Sequence, residues 1–371
     1  MNKDLLTFAE AIDKANIFNK QNSEYKGLNV LLANGFSIDC CKNIFTYESL
    51  FENANFSKTL QKVFFQTGTN DFEKIIKMLQ ETSKICEIYN LDETIVNQLL
   101  DDAEKIKNEL IKVISKKHPE HQHKIKDGQF CSAYKFLSNF KNIYTLNYDM
   151  LLYWTLMFKE RSKYILRSLK IKDNDYMDGF GRLSNNEDLT WYKTSKQNIF
   201  YLHGALHLFE DNYNIIKAET TSDDNLLDVI KKRLDNDQYP LIVAEGTSKE
   251  KLNKISHNKY LQNAIDQLRY IKGNLFIHGH SLDENDKHII DIINNDWNLK
   301  QIFISVFDPQ KNLEEMQQKS LTLFVDGQKH PKKIFLYDAQ SANVWSSIKE
   351  EDVEILEFEN AKKRGNVYEN F

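Results

Sequence analysis

The sequence predicts an α/β fold in which helices flank a parallel sheet and a helical insertion interrupts it. Three observations lead there. Short runs rich in aromatic and β-branched residues recur along the chain, and each ends in a polar or glycine-containing turn. Helix-period segments separate most of these runs, as in units of strand, helix and parallel strand. One stretch, at about residues 55–135, carries helical periodicity alone.

The first element is LNVLLAN, residues 28–34, a Leu and Val run with neither helical length nor polar alternation, and so a fully buried strand. It drops into Asn34-Gly35-Phe36-Ser37. Gly35 turns the chain sharply without a Cβ, and amides entering a following helix present donors to an anion such as a pyrophosphate. The full G-x-G-x-x-G pattern is absent, because Ala33 and Asn34 stand where a dehydrogenase carries more glycine. From this stretch alone, a phosphate loop and a plain strand-to-helix turn both remain open. Cys40 and Cys41 follow, read as small hydrophobes at the start of a helix.

From DFEKIIKMLQ to KNELIKVISKK, Leu99, Ala103, Ile106, Leu110 and Val113 recur three or four residues apart between charges, which is a helical stripe. It reads as core, with an assembly surface or a lid as the alternatives. HPEHQH, holding His118, His121 and His123, reads as a polar loop, since two-residue spacing and a proline suit no common ligand helix. Then come NIYTLNYD, IFYLHG, YPLIVAEG, NLFIHGHS, QIFISVFD and KKIFLYDA, each predicted as a strand. There is no repeat or low-complexity stretch, and one domain over residues 1–371 is expected.

Composition narrows the partners. With 371 residues, 41% apolar and 28% charged, the chain can bury a real core. Lys+Arg 49 against Asp+Glu 54 gives a net charge of -5 without a block of like charge, so no direct nucleic-acid partner is expected. No apolar run approaches the roughly 20 residues that span a bilayer, and MNKDLLTFAEAIDK lacks the pattern of a signal peptide. A cytoplasmic protein with no membrane partner is the expectation. Cys40, Cys41, Cys86 and Cys131 include no C-x-x-C pair, so neither a structural zinc nor any other metal is expected.

In a parallel sheet all strand C-termini share one edge, where ligands bind. That edge collects Gly35 and Ser37, then Asn147 and Asp149, then His203 and Gly204, then Gly279, His280 and Ser281. In this order, ANGFS, TLNYD, LHG and GHSL resemble the sirtuin superfamily, whose loops read Gly-Ala-Gly-Ile-Ser, Thr-Gln-Asn-Ile-Asp, His-Gly and Gly-Thr-Ser-Leu. With LLANGFSID, FTYESLF, NDFEKIIKML and GHSLDENDKHI, the chain more closely resembles the divergent bacterial sirtuin-like proteins that hydrolyse NAD in anti-phage defence. The resemblance spans residues 28 to 340 apart from the insertion.

It implies a Rossmann-like sheet and a set of roles. Ala33, Gly35 and Ser37, with Asn34 and Phe36 between them, match the dinucleotide-phosphate loop. Asn147 matches the residue that orients the reacting ribose or a water, Asp149 the acid near the nicotinamide carboxamide, and His203 the catalytic histidine. Gly279, His280 and Ser281 match the loop holding the ADP-ribose half, and Tyr337 and Asp338 a late strand end near the adenine.

The residue chemistry is compatible with these roles. Cleaving the nicotinamide bond builds an oxocarbenium-like ribose, which needs an oriented dipole or carboxylate and a base for the incoming hydroxyl. Asn147 cannot titrate, and a histidine such as His203 has an ordinary pKa of about 6.5. The structural alternatives are an Asx turn at Asn147-Tyr148-Asp149, a satisfied buried His203, packing or loop roles for His207 and His280, and a core role for Phe45 and Tyr47, which otherwise cover the nicotinamide.

Two departures shift the expected activity. The Gly-Ile-Pro-Asp-Phe-Arg segment of deacylases is replaced by DCCKNIFTYESL, and the four-cysteine zinc ribbon is missing. An acyl-lysine groove loses its support and water becomes the acceptor. The expectation is an NAD glycohydrolase with NAD as substrate, acting as a homo-oligomer or with a regulatory protein subunit. Alternatives are a catalytically silent NAD or ADP-ribose sensor, and a protein deacylase or ADP-ribosyltransferase.

Overall fold

The Leu and Val run folds into β1, Asn29–Leu32, with all four residues buried. The computed structural model describes residues 5–41, 44–182, 189–211, 214–220, 225–236, 238–244, 247–323 and 332–346, together with Ile348. The remaining strands in chain order are β2 Asn142–Thr145, β3 Phe180–Gly181, β4 Leu189–Trp191, β5 Ile199–Tyr201, β6 Leu208–Asp211, β7 Asn214–Lys217, β8 Gly273–His278, β9 Leu299–Val306 and β10 Lys333–Asp338.

Six of them form one sheet in the order β10-β9-β8-β1-β2-β5, with every pairing parallel. Counted by their succession in the chain, this is the doubly wound order of dinucleotide-binding folds, and β1 and β8 flank the point where the direction of winding reverses. The fold class is therefore a Rossmann-like α/β sheet flanked by helices, as the sequence predicts. Burial on both faces explains the unbroken apolar runs: every residue of β8 is buried, and β9 has only Lys300 partly open.

Between β1 and β2 the chain is helical: Asn34–Cys40, Tyr47–Glu52, Lys58–Thr67, Phe72–Ile88, Glu93–Lys117 and Asp127–Leu137. Asp71 caps the Phe72–Ile88 helix by accepting from the Glu73 and Lys74 amides, and Asp92 caps the Glu93–Lys117 helix through the Thr94 amide. Within the stripe, Ala103, Ile106, Leu110 and Val113 are buried and Leu99 packs against the core, so the stripe is interior. Ile85, Ile88, Tyr89, Leu91 and Ile95, at the far end of this helical pair, are exposed instead. Among the described residues no helix is long and apolar enough to cross a membrane.

Three local expectations are corrected. YPLIVAEG does not join the parallel sheet. Leu241 and Ile242 instead strap the end of β5: the Leu241 carbonyl accepts from Ala205, Val243 N–H donates to the His203 carbonyl, and Ile242 bridges Gly204 antiparallel. Pro240 precedes the run and lacks the N–H a ladder needs. Its end, Glu245 and Gly246, lies outside the described residues. Second, a small antiparallel sheet, β3-β4-β7-β6, sits after β2, built from strands of two to four residues whose alternation is too short to read. Third, Cys40 closes its helix instead of opening one, and Cys41 follows as the cap, with their sulfurs 3.4 Å apart.

The loops after β1 and β8 meet backbone to backbone. Gly35 N–H donates to the Gly279 carbonyl at 2.9 Å. A Cβ on Gly35 would lie 2.5 Å from the Gly279 Cα, and Gly279 itself has φ +75°, a conformation that L side chains rarely adopt. Gly35→Ala should therefore lower unfolding free energy in urea by about 1–3 kcal/mol, because backbone rather than a flexible side chain must give way. Wild-type stability in that variant would show that the loops separate without cost.

Candidate functional site

Four strand ends of the sheet bring the polar residues together. Ser37 lies in the first turn after β1, while Asn147 and Asp149 follow β2. Ser37 Oγ donates to Asp149 Oδ2 at 2.5 Å, and Asn147 Nδ2 donates to Ser37 Oγ at 2.8 Å and to the Ala33 carbonyl at 3.1 Å. The turn after β2 is itself fixed, since Thr145 Oγ1 accepts from the Asn147 amide and Asp149 Oδ1 from the Leu151 amide. The Asx-type turn therefore starts at Asp149 and not at Asn147, whose side chain reaches across to the loop after β1.

The rest of the first loop is occupied by the fold. Gly35 N–H is held by Gly279 and Phe36 N–H by the Ala33 carbonyl. Phe36 is buried beside Trp345, whose indole donates to the Phe36 carbonyl, and Asn34 Nδ2 donates to the Phe45 carbonyl at 3.3 Å. In the loop after β8, Gly279 N–H donates to Ser305 Oγ, His280 Nδ1 accepts from the Leu282 amide at 2.7 Å, and Ser281 is exposed. Tyr337 is fully buried with its hydroxyl 2.8 Å from His278 Nδ1, and Asp338 accepts from the Gln340 amide.

A second polar group adjoins the first through Tyr148, whose ring lies 6.5 Å from that of His203. Tyr148 Oη donates to Glu73 Oε1 at 2.9 Å. Lys251, completely buried, reaches Glu73 at 2.6 Å and Asp286 at 3.2 Å. Asp286 Oδ2 faces His280 Nε2 at 3.3 Å, and His203 Nε2 faces His288 Nε2 at 2.8 Å. Glu73, Lys251, Asp286 and His288 were not legible as site residues. Asp286 and His288 stand in DENDKHI, whose acid and histidine are ordinary surface spacing until the fold turns them inward, and Glu73 and Lys251 sit in helices that read as charged faces.

The profile of a protein family described as a domain of unknown function, DUF4917, matches residues 30–345. The chain belongs to the DUF4917 family. No curated protein matches it. The matched segment of this DUF4917 domain runs from β1 through Trp345 and so contains both polar groups.

Burial sets the electrostatics of the DUF4917 site. It pushes the Asp149 carboxyl up, against hydrogen bonds from Ser37 and the Leu151 backbone that favour the ion. It pushes His203 well below the usual imidazole range, with Asp286 opposing, and brings His288 down to about 4. Both rings are therefore neutral near pH 7. Burial also works against the Lys251 ammonium, yet Glu73 and Asp286 outweigh it and raise its pKa. Lys251 in turn holds Asp286 well below the usual carboxylate range against the cost of burial. Tyr47 is partly exposed, and after burial the charges of Glu73, Asp71, Asp286 and Asp283 hold its phenol up.

Among the described residues, the other histidines are structural or peripheral. His118 is buried, accepts from the Met150 amide through Nε2 at 3.1 Å and packs on Trp154, so it supports the turn that carries Asp149. His121 and His123 are exposed. His207 is buried between the rings of Tyr153 and Tyr201, and Phe45 is buried against His118.

Two outcomes follow for stability. Lys251→Met leaves the partly buried Glu73 and Asp286 carboxylates without their cation and should cost about 2–4 kcal/mol in chemical denaturation. Restoration of part of that loss by Glu73→Gln in the same chain checks the assignment, and a single variant as stable as wild type contradicts it. The second outcome concerns pH. His118, His278 and His288 each sit at about 4 through burial, against an ordinary value of about 6.5. Between those values the unfolded chain binds more protons, so the stabilisation present above about 6.5 is lost as pH falls toward 4. The raised Asp149 works the other way in part of that window. Urea unfolding at pH 5 should give a free energy lower than at pH 7 by about 2 kcal/mol or more. An unchanged value would mean that these rings are hydrated in the folded state.

Proposed function

We propose that this chain is an NAD glycohydrolase, cleaving NAD to nicotinamide and ADP-ribose, and that it serves as an NAD-depleting effector of the anti-phage kind its motifs resemble. One observation carries the reading. Ser37, Asn147 and Asp149 are hydrogen-bonded together on the adjoining ends of β1 and β2, with a neutral His203 at the end of the next strand, β5. The reversal of winding between β1 and β8 is where a doubly wound sheet takes a dinucleotide.

The chemistry follows from these groups. Breaking the ribose C1′ to nicotinamide bond sends the bonding pair to the pyridine nitrogen and leaves positive charge on the ribose. Asp149, whose carboxyl burial pushes up while Ser37 and the Leu151 amide support its charged form, faces that charge, and Asn147 orients the ribose or the attacking water. His203 takes the water proton. Its Nε2 faces His288, so the basic nitrogen is Nδ1 in the tautomer whose Nε2–H donates to His288. Protonation there is costly because the ring is buried, and Asp286 is the nearby carboxylate that opposes the cost.

The site is covered: Asn147, Asp149 and His203 are at most 9% exposed. The segment after the first loop, tied to Asn34 through Phe45 and bearing Tyr47 near the carboxylates, is the part whose displacement opens the nicotinamide end. A pyrophosphate on the first loop also needs the Gly35 to Gly279 bond to open, since that amide is otherwise used. A closed resting site suits an enzyme whose substrate the cell cannot lose. A homo-oligomer or partner subunit supplies the opening energy, and the exposed apolar end of the helical pair at Ile85, Ile88, Tyr89, Leu91 and Ile95 supports such an assembly.

Asn147→Ala and His203→Ala should each lower NAD turnover at least about a hundredfold, the size expected for a lost orienting dipole or base. ADP-ribose binding by calorimetry should change much less. The assay measures nicotinamide release with and without an acyl-lysine peptide. Full activity in either variant sinks the assignment, and release only with the peptide would make the chain a deacylase.

A further inference from the structure

His203 and His288 stand 85 residues apart in the chain, yet their Nε2 atoms are 2.8 Å apart and their rings stack at a centroid distance of 5.0 Å. One ligand atom each from His203, His288 and Asp286 falls within 4.8 Å of the other two. Both rings are buried, at 2% and 1% exposure, and His288 Nδ1 has no hydrogen-bond partner. Two neutral imidazoles meeting nitrogen to nitrogen share a single proton, so one lone pair is directed into the gap between them.

We propose that His203 Nε2, His288 Nε2 and Asp286 Oδ2 form a binding site for a divalent transition metal of the imidazole-preferring class, such as zinc or cobalt. Two imidazoles and one carboxylate, with a further position left open, are a donor set such ions accept. Nitrogen ligands at about 2.0–2.1 Å on a tetrahedral ion stand a little over 3 Å apart, so the two rings need only a small separation from their present contact. Around these three, Lys251 holds Asp286 Oδ1 at 3.2 Å, His280 Nε2 lies 3.3 Å from Oδ2 and would share that oxygen with the ion, and Glu73 in turn holds Lys251 at 2.6 Å. Second partners of this kind fix the orientation of a ligating carboxylate. The charges also permit an added cation, since one buried ammonium faces two partly buried carboxylates here. This site departs from the expectation of no metal, which rested on local spacing, because its ligands come from positions 203, 286 and 288.

A consequence for control rests on the NAD reading, although the site itself does not. A neutral imidazole that gives Nε2 to a metal carries its single proton on Nδ1. The proton that His203 Nε2 holds toward His288 then moves to His203 Nδ1, no proton is released, and Nδ1 loses the lone pair that would accept from water. Metal occupancy therefore holds the hydrolase off.

The test is a titration of the full chain with cobalt, followed by the visible absorption of the bound ion, alongside nicotinamide release with and without zinc. The expected result is one cobalt per chain, with affinity at least about tenfold weaker in His288→Gln and in Asp286→Asn, each checked for folding by its thermal melt. Zinc should slow NAD cleavage by wild type at least about tenfold, and a chelator should restore it. Folded variants that bind cobalt as tightly as wild type overturn the site, and should Asp286→Asn not fold, His288→Gln alone decides. Cobalt binding lost in the variants, in a wild type that never cleaves NAD, upholds the metal site and overturns the hydrolase reading.

Discussion

The contact between Gly35 and Gly279 is the constraint from which the rest of the site follows. Strands β1 and β8 run side by side, so their loops leave the sheet together, and only two residues without a Cβ let the backbones touch. That closeness fixes where Ser37 and His280 begin. From there Ser37 reaches Asn147 and Asp149 beyond β2, and His280 leads to Asp286. Moving the first loop outward would break the Ser37 group, and moving the loop after β8 would break the second group, which draws residues from both sides of the reversal point.

The second polar group joins separate parts of the chain. Glu73 comes from the insertion, Lys251 from the helix that follows the strap over β5, and Asp286 and His288 from the segment after β8. In water such ion pairs contribute little, since solvent screens them and their side chains are mobile. Here Lys251 is fully buried and each carboxylate has further partners, so the cost of desolvation is met by a connected set of bonds. A buried set of this kind is stable only when complete. It therefore ties the placement of the helical insertion to that of the sheet.

Between the two groups, Tyr148 is the hinge of the arrangement. Its neighbours Asn147 and Asp149 face Ser37, while its own hydroxyl bonds to Glu73 and to the Val243 carbonyl. A displacement of the insertion that moved Glu73 would thus act directly on the turn carrying Asn147 and Asp149. The coupling needs no long path, because adjacent residues of one turn touch both groups.

The sequence by itself determined the six strands of the parallel sheet, the first and last loops, and the candidate residues at their ends. Burial on both faces writes a parallel strand as an unbroken apolar run, and glycine or a polar turn marks where it stops. Ser37, Asn147, Asp149 and His203 were legible because each stands at such a stop. Other features were hidden in ordinary patterns. Glu73 and Lys251 lie in amphipathic helices where charges are commonplace, and whether a charge faces solvent or another helix is a matter of packing. The YPLIVAEG run has the composition of a strand, yet it serves as the strap over Gly204 instead of joining the parallel sheet, a choice that only the assembled sheet resolves. The use of the Gly35 amide was likewise decided in three dimensions. A turn suited to an anion is also suited to a neighbouring carbonyl, and Gly279 supplies one at 2.9 Å. Residue type fixes what a side chain can do, whereas distance and burial decide which partner it meets, and those are set by contacts between segments far apart in the chain.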